Sequence, residues 1–135
     1  MEEITVKAEI DNILKVTEFV ESILEGADCP AKVCIQISLC VDELFSNIAH
    51  YAYPDREGDA TVAVEVRNDE KTAEITFCDS GIPYNPLEKE DPDTTLSADE
   101  RPIGGLGIFL VKKNVDDIIY EYRDGKNVLK IRKNW

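Results

Sequence analysis

Between residues 30 and about 52, apolar side chains recur at Val33, Ile37, Val41, Leu44 and Ile48, at steps of four, four, three and four. No other run in the chain constrains the fold as tightly. That spacing lays all five along one stripe and predicts a long helix with one buried face. Pro30 suits the first turn, where its missing N–H costs nothing, and Pro54 lies just past the end. A helix with a single apolar stripe needs a second layer to bury it.

Alternating segments supply that layer. Ile4, Val6 and Ala8 alternate with polar residues over 3–9; Val62, Val64 and Val66 alternate with Thr61, Glu65 and Arg67; Ala73, Ile75 and Phe77 alternate with Glu74 and Thr76. Residues 68–71 close a hairpin between the last two. Asp124-Gly125, a pair suited to a type I′ turn, joins strands around 117–123 and 128–132. Asp11 or Asn12 caps a further helix with the stripe Ile13, Val16, Val20 and Ile23, which Gly26 stops. A short third helix runs from about 106 to 114. The expectation is an α+β fold, a two-layer sandwich with helices on one face of a mixed, mostly antiparallel sheet. At 135 residues, the chain fits one domain, 1–135.

Over 79–107 the periodicity disappears, and Pro83, Pro86, Pro92 and Pro102 punctuate an acidic stretch too long for an ordinary connection. It reads as a lid, about 85–103, over a site. A formal charge of −13, from 28 acidic and 15 basic residues, repels a phosphate backbone and argues against direct nucleic-acid binding. It fits a protein partner with a basic patch, and it leaves a nucleotide possible, because metal and backbone N–H groups can hold phosphates. The four cysteines form no C-x-x-C pair; Cys34 and Cys40 fall within the helical pattern as small apolar residues. Free thiols, no leader-like N-terminus and no apolar run of about 18 residues give a cytoplasmic expectation and no membrane.

Three constellations carry chemistry. Glu43 and Asn47, four apart on the long helix, project together beside its apolar stripe. A carboxylate there can deprotonate or orient a hydroxyl, and an amide oxygen suits Mg²⁺. Asp79-Ser80-Gly81 follows directly on a strand, where the acid can accept a hydrogen bond from an adenine amino group and Gly81 lets the backbone come close. Gly104-Gly105-Leu106-Gly107 ends the long loop and opens a helix, a combination that turns backbone N–H groups and a positive dipole end toward phosphates. Neither a P-loop nor a Rossmann arrangement is present. Each piece alone is a common surface helix, turn or hinge; their order along the chain is the signal.

In that order, the sequence resembles the ATP-binding superfamily of gyrase, histidine kinases and the MutL-type mismatch-repair ATPases (GHKL). Glu43 and Asn47 match its N box, Asp79 and Gly81 its G1 box, Gly105 and Gly107 its G2 box. Through Asn47-Ile48-Ala49-His50, the run from Asp79 to Pro86 and the run from Ile103 to Ile108, it is most similar to the anti-sigma-factor serine kinases of the RsbW type. Pro83 departs from the second glycine common in the wider superfamily.

The resemblance implies a Bergerat-type sandwich that binds ATP and Mg²⁺. Asn47 would hold the metal, Asp79 would recognise adenine, glycines 105 and 107 would cradle phosphates, and Glu43 would be the catalytic base. It further implies a STAS-domain antagonist as substrate, a sigma factor as a second partner, and a homodimer. His50 is a candidate phosphate contact or a structural support of the N box; Arg101 is a candidate γ-phosphate contact or a solvent-facing residue. Gly104 and Leu106 complete the expected nucleotide set. Two other readings remain: a non-catalytic ATP sensor, which has no need of Glu43, and a histidine-kinase catalytic domain, for which only His50 would be available as acceptor.

Overall fold

A computed structural model describes residues 1–88 and 106–135. Strand β1 (Glu2–Lys7) leads through a 3₁₀ turn (Ile10–Asn12) into helix α1 (Ile13–Gly26) and helix α2 (Ala31–Tyr51). Strands β2 (Asp59–Arg67) and β3 (Thr72–Asp79) follow, then a 3₁₀ turn (Pro86–Glu88), helix α3 (Leu106–Asn114) and strands β4 (Asp117–Arg123) and β5 (Lys126–Asn134). The five strands form one sheet in the order β1-β2-β3-β5-β4, and every pairing is antiparallel. The expected two-layer α+β sandwich is the fold observed.

The long helix forms where the stripe places it, with Pro30 just before its first residue as N-cap. Val33, Ile37, Val41 and Leu44 are buried, joined by Cys40 and Phe45. They meet Val62, Val64, Ile75, Phe77 and Ile131 from the inner face of the sheet, and Val16, Val20 and Leu24 from α1 complete the core. A side chain of this size contributes about 1.5–3 kcal/mol when fully buried. The outer face of the sheet is wet: Arg67 pairs with Glu65 and Glu74, and Lys130 lies 3.4 Å from Glu74.

Local punctuation departs from expectation at α1. Neither Asp11 nor Asn12 caps that helix through its side chain. Asn12 Nδ2 donates instead to Lys7 O at 2.9 Å and ties the 3₁₀ turn back to β1. At the other end α1 stops at Gly26, but the residue with positive φ is Asp28, at 59°; an aspartate tolerates this region better than most residues. The Asp124-Gly125 hairpin is as expected, with φ of 54° and 77°, the positive pair a type I′ turn requires.

Candidate functional site

Where β3 runs out beneath the C-terminal end of α2, the chain buries a carboxylate. Asp79 is 6% exposed. Its Oδ1 accepts two hydrogen bonds, from the Gly81 backbone N–H at 2.9 Å and from Asn127 Nδ2 at 2.9 Å. Burial pushes the Asp79 carboxyl above its ordinary value, while these two donors pull it back. Asn127 is β5's register partner of Asp79, so the ladder itself brings amide and carboxylate together.

The turn after Asp79 is held on every side. Ile82 N–H donates to Ala52 O at the end of α2, at 2.9 Å. Ser80 N–H donates to the Tyr53 hydroxyl at 2.8 Å, and that hydroxyl donates to Asp59 O at 2.6 Å. Arg56 donates to Ser80 O at 2.9 Å. Gly81 is required by this crowding: a Cβ there would fall 2.3 Å from Ala52 O. Close approach is the reason, as the sequence suggests, but the neighbour is the helix end.

Asp79 looks into a cleft whose walls are otherwise mainly apolar. Leu44, Ile48, Phe77, Ile82 and Leu129 line it, with Asn47, Tyr120 and Asn127 as polar additions. The rings of Tyr51 and Tyr84, also in its wall, lie 5.9 Å apart at 32°. Asn47 thus faces the same cleft as Asp79.

Glu43, one turn earlier on α2, lines a neighbouring cleft with Leu39, Asp42, Leu110 and Asn114. It abuts the first turn of α3: a Cβ on Gly107 would lie 2.1 Å from Glu43 Oε2. The two N-box residues therefore serve adjacent places, the amide toward Asp79 and the carboxylate toward the glycine that opens α3. His50 is exposed, and its Nδ1 lies 3.3 Å from Ser46 Oγ, outside the wall of the Asp79 cleft. Arg101, Gly104 and Gly105, and most of the expected lid, lie outside the described residues. Leu106 begins α3.

Sequence reasoning overlooked Asn127, Tyr120, Tyr84, Tyr51 and Tyr53. A signal existed for the first. Positions 127, 129 and 131 share the inner face of β5, and an asparagine in line with buried Leu129 and Ile131 marks a buried amide that needs partners. Starting the strand at 128 hid it.

Residues 6–133 match the model of the histidine kinase-like ATPase domain. The chain is 27% identical over 99 residues to the serine/threonine-protein kinase BtrW of Bordetella bronchiseptica, covering 73% of this chain and 69% of that one. It is 28% identical over 97 residues to the serine-protein kinase RsbW of Bacillus mycoides, covering 69% of this chain and 59% of its relative. Among solved structures, a histidine kinase domain from the blue-light activated histidine kinase of Erythrobacter litoralis superposes with a TM-score of 0.58 at 16% identity. That match covers 93% of this chain and 60% of the other, and it shows the shared fold.

Proposed function

Because the chain belongs to the histidine kinase-like ATPase domain family, we propose that it binds Mg-ATP and transfers the γ-phosphate to a serine or threonine of a small STAS-type antagonist. In this reading, it is a cytoplasmic switch that holds a sigma factor or comparable target according to the antagonist's phosphorylation, and it works as a homodimer. The relatives named as serine and serine/threonine kinases support the acceptor type.

The observation that carries the reading is Asp79, an acid buried at a strand end and turned into a mainly apolar cleft. A carboxylate in such surroundings is costly unless it meets donors. Two internal donors converge on Oδ1, and an adenine amino group would meet Oδ2. The cavity is small, 40 Å³, room for about one or two waters, so a base would need the side chains of Ile82, Tyr51 and Tyr84 to turn aside while the Ile82–Tyr84 backbone stays in place.

The residues suit the metal as well. The Asn47 amide oxygen is a hard donor of the kind Mg²⁺ accepts, and Glu43 stands one turn away to supply charge. Mg²⁺, when bound, would neutralise phosphate charge. Glu43 would orient the acceptor hydroxyl and take its proton, while Gly107 leaves room for that carboxylate.

Calorimetric titration of Mg-ATP into the wild-type protein and the Asp79→Asn variant tests the pocket, and transfer of labelled phosphate to a STAS-domain protein tests the kinase. Binding by wild type, loss in Asp79→Asn, and transfer abolished by Glu43→Ala are the expected results. Binding without transfer would leave an ATP sensor, and no binding by folded wild type would overturn the reading.

A further inference from the structure

Asn127 is 7% exposed and uses its whole hydrogen-bonding capacity on the protein. Its Nδ2 donates to Asp79 Oδ1 at 2.9 Å and to Ile82 O at 2.8 Å; its Oδ1 accepts from Tyr84 N–H at 3.1 Å and from the Tyr120 hydroxyl. A primary amide has two N–H donors and a carbonyl oxygen with two lone pairs, and here all four are matched. Its orientation is unambiguous, because the backbone carbonyl of Ile82 can only accept and the backbone N–H of Tyr84 can only donate. Burial raises the Tyr120 phenol and keeps it protonated, hence a donor.

One side chain thereby touches three places at once: the end of β3, the turn at Ile82–Tyr84, and β4 through Tyr120. A side chain so saturated has nothing left for a ligand. What it controls is the direction of the Asp79 carboxylate. Two bonds to Oδ1, from Asn127 and Gly81, resist rotation of a carboxylate that lies in the cleft wall.

We propose that Asn127 is a positioning residue for nucleotide recognition, a four-way clasp that fixes the Asp79 carboxylate and the Ile82–Tyr84 turn in their base-receiving arrangement without touching the base. The inference rests on the nucleotide reading of the cleft. It differs from a role in simple packing because it depends on a donor at position 127 facing Asp79.

That dependence can be switched by pH. In an Asn127→Asp variant, two carboxylates face each other at hydrogen-bond distance and cannot both remain ionised without repulsion, so the pair holds a proton with a raised apparent pKa. Below that value, the shared proton again supplies a donor to Asp79; above it, the carboxylates repel and the clasp opens. The ionisable groups around the position are Asp79 on β3, Tyr120 and Asn127's register partner Tyr122 on β4, Tyr51 of α2 and Tyr84 in the cleft wall, with Glu88 felt by Tyr120. Two cations, Lys126 next to Asn127 and Arg56 on Ser80 O, are exposed and outside the cleft wall. Those that share the cleft are all acids, and the two exposed cations are screened by solvent, so the repulsion between the buried carboxylates stands.

The experiment is calorimetric titration of Mg-ATP and Mg-ADP into the full chain, as wild type, Asn127→Asp and Tyr120→Phe, each with its melting curve. Affinities are expressed relative to wild type at the same pH, which cancels protonation of the nucleotide. For Asn127→Asp, the expected result is a loss of roughly 30-fold or more at about pH 8, with roughly tenfold of it recovered at about pH 6. ATP and ADP should suffer alike, because the lesion lies at the base end. Tyr120→Phe, which deletes one hydroxyl, should weaken both nucleotides by about 3- to 10-fold with no pH dependence. Unchanged relative affinity in both variants, or an Asn127→Asp loss equal at the two pH values in a folded protein, overturns the clasp. If Asn127→Asp fails to fold, Tyr120→Phe decides alone. Absence of binding by wild type is a different failure: it removes the nucleotide reading, and the clasp's role with it.

Discussion

Glu43 closes against Gly107: a Cβ built on that glycine would lie 2.1 Å from Glu43 Oε2 and 2.9 Å from its Cδ. The obstacle is the far end of a flexible side chain, so a Gly107→Ala variant relieves the clash by swinging the carboxylate away. Backbone and core need not move.

Gly107→Ala is therefore expected to melt close to wild type and bind Mg-ATP within a few-fold, yet to lose phosphoryl transfer by roughly 10- to 100-fold. Displacement of a positioned catalytic group by about an ångström has that scale of effect. Single-turnover transfer at saturating nucleotide is the measurement. Normal transfer would remove Glu43 from the role of base.

Gly81 presents the opposite case. A Cβ there meets Ala52 O at 2.3 Å and Ala52 Cβ at 2.6 Å, and neither can rotate away. The same region carries the Ile82 N–H bond to Ala52 O. Gly81→Ala should destabilise the fold by about 1–3 kcal/mol, the usual cost of overpacking a site that cannot yield. A lower urea midpoint with an unchanged slope would report it; an unchanged midpoint would show that the turn is free to move.

The contrast between these glycines shows what the sequence made legible. The layers were readable because Val33, Ile37, Val41 and Leu44 repeat at helical spacing and Ile75 and Phe77 at strand spacing, so burial follows from the pattern alone. Asp79, Gly81 and the Glu43–Asn47 pair stood out as candidates because their order is informative, and the fold brings Asn47 to the Asp79 cleft while Glu43 lines the neighbouring one. The wall of the cleft was not. Tyr51, Tyr84, Tyr120 and Asn127 come from α2, the loop, β4 and β5, and only the strand order β3-β5-β4 brings the last two beside Asp79. Capping at α1 was misjudged for a similar reason: Asn12 had a tertiary acceptor in Lys7 O that local propensity does not foresee.

The thiols yield a prediction about reactivity. Burial is the main cause that pushes Cys40 up to about 11 and Cys29 up to about 12, the latter helped by its hydrogen bond with Cys34. Only the thiolate is nucleophilic, and an unperturbed cysteine titrates near 8.5, so native Cys40 should alkylate at least roughly 100-fold more slowly than in the unfolded chain at about pH 8. The rate should climb as pH rises toward the folded values. Peptide mapping after iodoacetamide treatment, with and without urea, reads both; rapid native labelling of Cys40 would mean that α2 opens readily, one turn before Glu43.

The last prediction sets function against stability at one residue. Burial raises Asp79 above its ordinary value of 3.8, so the native state binds its proton more tightly than the unfolded chain does. Stability therefore falls as pH rises from the unfolded value through the raised folded one, and above that window the buried charge is a standing cost. Asparagine at this position removes the charge while its own Oδ1 can still accept from Gly81 N–H and Asn127 Nδ2. Asp79→Asn is thus expected to melt no lower than wild type at neutral pH, and a few degrees higher if the two bonds persist. The advantage should shrink as pH drops and wild-type Asp79 takes up its proton. The same variant should lose Mg-ATP binding, because an amide lacks the carboxylate's charge and, with Oδ1 engaged, turns N–H donors toward the base. A variant that melts well below wild type at neutral pH would show that the ionised carboxylate supports the fold, and the loss of binding could then no longer be assigned to recognition.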